Sequence, residues 1–133
     1  MSELGFSITV PGTIHAVRER VTGALKTEGF GVLTHIDVEA TLAEKLGERI
    51  EPYQILGACN PALAHKALEA DRDIGLLLPC NVVLREVAGA THVSVVDPQA
   101  MFGVVADAAR EQLEPVVREA RAKLRRVVAG LAD

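Results

Sequence analysis

The sequence predicts a single α/β domain of the α+β type. Its expected architecture is two layers, with about five strands in a mixed or mainly antiparallel sheet covered by helices, and a long kinked helix closing the chain. Three observations carry this. The 133 residues fit one domain, and at this length about two thirds of the unfolded chain's surface can be buried. Short segments with an apolar–polar alternation, bounded by Gly and Pro, trade places along the chain with segments whose apolar residues recur every three or four positions. The composition is 49% hydrophobic with three Phe, one Tyr and no Trp, so the core must be aliphatic.

Residues 4–10 place Phe6, Ile8 and Val10 on one face of a strand that stops at Pro11-Gly12. Thr13 can cap the helix that follows, in which Ile14, Val17, Val21 and Leu25 form one stripe before Gly29 ends it. Strict alternation over residues 30–36 puts Phe30, Val32, Thr34 and Ile36 on one side and Gly31, Leu33 and His35 on the other. Asp37 starts a short helix, residues 38–46, which Gly47 ends. Residues 52–59 read as a third strand running straight into a helix over 62–70, because Asn60-Pro61 pairs a capping residue with proline at the first helical position. Residues 74–78 return the chain to the sheet. Strands at 81–87 and 91–96 then flank Ala88-Gly89-Ala90, a compact connection suited to an antiparallel hairpin.

Asp97-Pro98 repeats the cap-and-proline signal, and the pattern is helical from 98 to 131. Pro115 removes one helical hydrogen bond, which predicts a kink or two abutting helices there. Leu113, Val117, Ala120, Leu124, Val127 and Leu131 make one apolar seam, opposite Arg118, Glu119, Arg121, Arg125 and Arg126. Such a seam can cover the sheet or pack on a second subunit, and a homodimer is the expectation drawn from it.

Charge and composition exclude several function classes. Fourteen Lys and Arg against eighteen Asp and Glu give a net charge of −4, the wrong sign for phosphate-backbone binding, so no nucleic-acid partner is expected. So few aromatics also disfavour base-stacking platforms and aromatic cages. The N-terminus has no basic region leading into a long apolar stretch, and the apolar run at 74–78 is interrupted by Gly75 and ended by Pro79. A cytoplasmic protein with no membrane partner is expected. Two cysteines suit a reducing compartment.

Those cysteines are the chemical candidates. Cys59 falls at a strand end just before a helix N-terminus, where backbone donors and the helix dipole favour a thiolate, and Cys80 opens a neighbouring segment after Pro79. They could serve a thiol enzyme or redox sensor, with Cys80 resolving. They could equally be small buried hydrophobes. Gly57, Cys59, Asn60 and Cys80 form the candidate ligand site, since small residues at a helix start let an anion approach the backbone. Asn60 and Asp97 are also explained as helix caps. His15, His35, His65 and His92 match no zinc spacing with either cysteine, so neither a metal nor a cofactor is expected. His15 and His65 read as solvated surface residues. No Gly-rich phosphate loop, Ser-His-Asp signature or nucleophile elbow is present. The function expected from these residues is a small-molecule or anion-binding module with its site near Gly57–Asn60 and Cys80; a thiol-dependent enzyme or redox sensor using Cys59 with Cys80, and a structural or interaction subunit, are the alternatives.

The run Tyr53-Gln54-Ile55-Leu56-Gly57-Ala58-Cys59-Asn60-Pro61, then Leu77-Leu78-Pro79-Cys80-Asn81-Val82, then Val95-Val96-Asp97-Pro98 resembles the family called domain of unknown function 302. The resemblance covers about residues 5–105 and implies a compact α/β domain, found largely in bacteria and archaea, with no settled activity. In that family an Ile-Asp-His sequence often follows the second strand, whereas here Ile36-Asp37-Val38 stands in its place. On this reading residues 1–133 are one domain, with 106–133 a helical extension beyond the family-like core.

Overall fold

The computed structural model describes residues 4–105 and 107–132. Five strands, β1 (Gly5–Pro11), β2 (Gly31–Asp37), β3 (Tyr53–Cys59), β4 (Cys80–Val87) and β5 (Ala90–Val96), form one sheet in the order β1-β5-β4-β3-β2. Every neighbouring pair is antiparallel. Five α-helices accompany them: α1 (Ile14–Thr27), α2 (Val38–Leu46), α3 (Pro61–Ala70), α4 (Pro98–Phe102) and α5 (Asp107–Gly130). A 3₁₀ turn at Arg72–Leu77 makes the return expected of residues 74–78.

The capping chemistry predicted from the sequence sets the helix starts. The side chains of Thr13, Asp37, Asn60 and Asp97 accept from the first-turn amides of Ala16, Ala40, Leu63 and Gln99, each satisfying a donor that the helix itself leaves unpaired. Gly47 ends α2 in the left-handed region at φ 68°.

One face of the sheet builds the core. Val10, Leu56, Ala58, Cys80, Val82, Leu84, Val93 and Val95 pack against Ile14, Val17, Val21 and Leu25 of α1 and Leu124, Val127 and Leu131 at the end of the chain. A second cluster joins Ala67 of α3, Ile74, Phe102 of α4, and Ala109 and Leu113 of α5. On the opposite face of β1 and β5, Ser7 bonds Ser94 and Thr9 bonds His92 across the strands.

The structure departs from the sequence reading in two places. The register of β2 against β3 shifts between Val32 and Thr34. This β-bulge pairs His35 with Leu56 and Thr34 with Gly57, so His35 joins the face of buried Leu56 and Thr34 leaves it, the reverse of simple alternation. The C-terminal helical region does not divide at Pro115: α5 continues through that residue, and the break falls at residues 103–105. Arg110 donates to the carbonyls of Gly103 and Val105 there, at 3.3 and 3.0 Å. The seam from Leu113 to Leu131 is spent inside the fold, with Leu124 fully buried and Val127 1% exposed. Of the seam, Val117 is half-buried and the other five residues are buried, so most of it covers the sheet and the neighbouring helices.

Candidate functional site

The structure brings Cys59, Asn60 and Cys80 together around one small cavity, lined also by Phe30, Ala58, Leu63, Leu78, Phe102 and Ala120. Ala58 pairs with Cys80 across β3 and β4, and Leu78-Pro79 is a cis peptide bond. The cavity measures about 30 Å³, room for a water molecule in an almost wholly apolar lining, and far below the roughly 300 Å³ at which ligand pockets begin. Both cysteines are free thiols. Burial pushes the Cys59 thiol up, and burial followed by the charge on Cys59 pushes Cys80 up to about 11. The shift at Cys59 is thus in the direction set by desolvation, opposite to the lowered pKa expected of a thiol at a helix start.

Asn60 acts as a structural tie. Its Oδ1 accepts from Leu63 N at 3.2 Å, and its Nδ2 donates to the Glu28 carbonyl at 3.3 Å, against Gly29. The space above Gly57 is filled by the Thr34 side chain and by Pro79, whose Cγ lies 2.7 Å from where a Cβ would stand. The small residues at this junction thus admit the protein's own side chains.

The larger opening lies between α4 and α5. It encloses about 470 Å³ and is lined by Gln99, Phe102, Gly103, Val105, Arg110, Leu113, Glu114, Val117, Arg118 and Arg121. Phe102, Val105 and Leu113 are buried and make an apolar floor. Three guanidinium groups stand at the walls, each with a carboxylate neighbour: Arg110 with Asp107 at 3.4 Å, Arg118 with Glu114 at 3.2 Å, and Arg121 with Asp97 at 3.1 Å. The first two pairs are exposed and weakly held. The Arg121–Asp97 pair is more enclosed, with the Asp97 side chain 14% exposed. Arg121 and Arg125 also lie over the Phe6 ring, 5.5 and 5.0 Å from its centroid. Sequence reasoning missed this cleft because Arg118 and Arg121 read as the solvated side of the α5 seam and Arg110 was not singled out. The signal available was Gly103, small and just past the Asp97-Pro98 helix start, which marks where α4 ends and a gap can open.

The histidines do not converge on the cysteines. His65 is exposed and pairs with Glu69 on α3 at 3.3 Å. His92 sits on β5 beside Thr9, and burial, then the nearby charge of Arg85, lowers its pKa. His15 and His35 meet around Arg18. Among the described residues, no three His, Cys, Asp or Glu side chains group closely enough to hold a metal ion, and no helix is long and apolar enough to cross a membrane.

Fold and sites together define a small α+β domain with one antiparallel sheet and a helix-lined cleft. The chain belongs to the family described as Domain of unknown function DUF302, which matches residues 6–131. That match runs through α5. Among solved structures, the chain is similar to an uncharacterized conserved DUF302 protein from Bacillus stearothermophilus, with 29% identity and a TM-score of 0.79 over 95% of this chain and 99% of that one. No protein of curated function matches the chain.

Proposed function

We propose that this protein is a small-molecule-binding module whose ligand is an amphipathic organic acid held in the α4–α5 cleft. One observation carries the reading: a volume of about 470 Å³, inside the range of ligand pockets, combines an apolar floor with three arginine side chains. Phe102, Val105, Leu113 and Val117 would take the ligand's apolar body. Arg110 and Arg118 would take its acidic group by exchanging exposed carboxylate partners for it, since Arg presents a planar fork that fits a carboxylate or sulfonate bidentately. The ligand site is thus proposed away from Gly57, Cys59, Asn60 and Cys80, where about 30 Å³ is available.

Anilinonaphthalene sulfonate, an aromatic acid of the right character, tests this by fluorescence titration. Saturable binding is expected, displaced by decanoate and poorly by the neutral alcohol decanol. Val117→Trp, which fills the cleft, is expected to abolish it while the melting temperature stays near that of the parent. Absence of saturation, or equal binding by Val117→Trp, would refute the proposal.

A further inference from the structure

A second cluster of chemistry-bearing side chains is built from residues none of which lines the cleft. His15 and Arg18 project from the first turns of α1, His35 from β2 and Gln54 from β3. The β2 bulge brings His35 to this face, and bulges commonly re-aim a side chain next to a functional site.

Arg18 Nη1 donates to Gln54 Oε1 at 3.0 Å. A guanidinium has no acceptor, so the amide atom facing it is the oxygen. That same oxygen lies 2.7 Å from His35 Nε2, which must therefore carry a hydrogen and donate. Arg18 Nη1 and His35 Nε2 are then two donors 3.1 Å apart sharing one acceptor. Arg18 Nη2 donates to His15 Nδ1 at 3.1 Å. The Nε–H and the second Nη2–H of Arg18, with His15 Nε2 and His35 Nδ1, have no hydrogen-bond partner among the described residues.

Arg85, Arg110, Arg118, Arg121 and Arg126 each have a carboxylate within 4.0 Å, whereas among the described residues Arg18, like Arg49, Arg72 and Arg125, has none, and its side chain meets ring nitrogens and an amide oxygen. The first turn of α1 contains no acidic residue of its own, so the carboxylate that faces the positive end of that helix near His15 and Arg18 comes from Glu86 on β4. The nearby acids are committed elsewhere or face solvent. Glu86 Oε1 accepts from Ile14 N at 2.7 Å, Asp37 caps α2, and Glu19 is exposed. His15 and His35 are exposed and Arg18 half-buried, so the cluster is open to a solute.

We infer that His15, Arg18, His35 and Gln54 form a binding site for a tetrahedral oxyanion of the phosphate type. Its oxygens would accept from the unpaired Arg18 donors and from the imidazoles, separating the two facing donors and giving Arg18 an anionic partner. The site is independent of the α4–α5 reading.

Titration with inorganic phosphate at fixed pH and ionic strength, followed by the histidine ring signals in NMR, tests it, and a parallel arm uses phenyl phosphate. The expected result is saturable movement of the His15 and His35 signals, with those of His65 and His92 still. Arg18→Gln should weaken binding by at least about tenfold. Binding of both solutes points to the bare anion, and binding of phenyl phosphate alone to an ester; either supports the site. No saturable movement with either solute, movement of all four histidines together, or unchanged affinity in a folded Arg18→Gln protein would overturn it. The wild-type histidine pattern decides the question even if that variant fails to fold.

Discussion

Thr34 Oγ1 occupies the place where a Cβ on Gly57 would stand, with Pro79 closing the same space from the side. The pairing exists because the β2 bulge sets Thr34 opposite Gly57. Gly57→Ala therefore overpacks a buried site between two strands and the turn that follows α3. It should cost about 1–3 kcal/mol in urea unfolding. Adding Thr34→Ala to that variant should recover part of the loss and leave the contact with Pro79. Equal stability of Gly57→Ala and the parent would mean that the strands spread without cost.

The two thiols make a pH prediction. Cys80 is 7% exposed and its pKa is raised from an ordinary 9.0 to about 11. Below pH 9 the thiol is protonated folded and unfolded, and its contribution to stability is complete. Between pH 9 and 11 the unfolded chain releases the proton while the folded chain keeps it, so stability falls as pH rises, by on the order of 2–3 kcal/mol over the window. Urea unfolding at intervals across that range should show a slope that Cys80→Ala reduces; the same slope in both proteins would contradict the assignment. Cys59, also raised, should alkylate more slowly at neutral pH than a free thiol. A rate that levels off below about pH 8 would instead restore it as a nucleophile.

The strands and helix starts were legible in the sequence because they rest on local chemistry. Thr13, Asp37, Asn60 and Asp97 all cap where expected, since a side-chain oxygen needs only the next turn of its own chain. The faces of β2 were not legible. A bulge is decided by packing across strands, here Thr34 against Gly57 and His35 against Gln54, and no alternation pattern records it. Of the two outcomes Pro115 allowed, a kink or two abutting helices, the division did not occur: one lost hydrogen bond at an exposed position did not interrupt a helix whose flanking residues Leu113 and Ala120 are buried. The cleft needed α4 and α5 to be placed side by side, and the Arg18 cluster needed three elements at once, distances that no single segment encodes.

Asp97 joins two roles that substitution can separate. It caps α4 through Gln99 N at 3.0 Å and receives Arg121 Nε at 3.1 and 3.2 Å from its two oxygens. Asp97→Asn keeps an acceptor for the cap and removes the charge, and should cost up to about 1 kcal/mol for this partly enclosed pair. Asp97→Ala loses both and should cost about 1–2 kcal/mol. Thermal and urea unfolding of the two variants give the comparison. If Asp97→Asn is as damaging as Asp97→Ala, the ion pair holds α5 to α4 and the cap is incidental.

The β4–β5 hairpin carries a removable strain. Its connecting residues, Ala88 and Gly89, both have positive φ, 54° and 79°, the condition of the tight turn that matches strand twist in two-residue hairpins. Glycine adopts this region freely, but alanine there sets its Cβ against the backbone, at about 1–2 kcal/mol. Asparagine is the side chain that tolerates the region best, and Asn-Gly is the preferred pair for such a turn. Ala88→Asn should therefore stabilise the protein by about 0.5–1 kcal/mol, seen as a higher urea midpoint with an unchanged slope. Because the turn touches neither the cleft nor the Arg18 cluster, binding of anilinonaphthalene sulfonate and of phosphate should be the same in this variant as in the parent. A lower midpoint would show that Ala88 makes a packing contact worth more than the strain it bears.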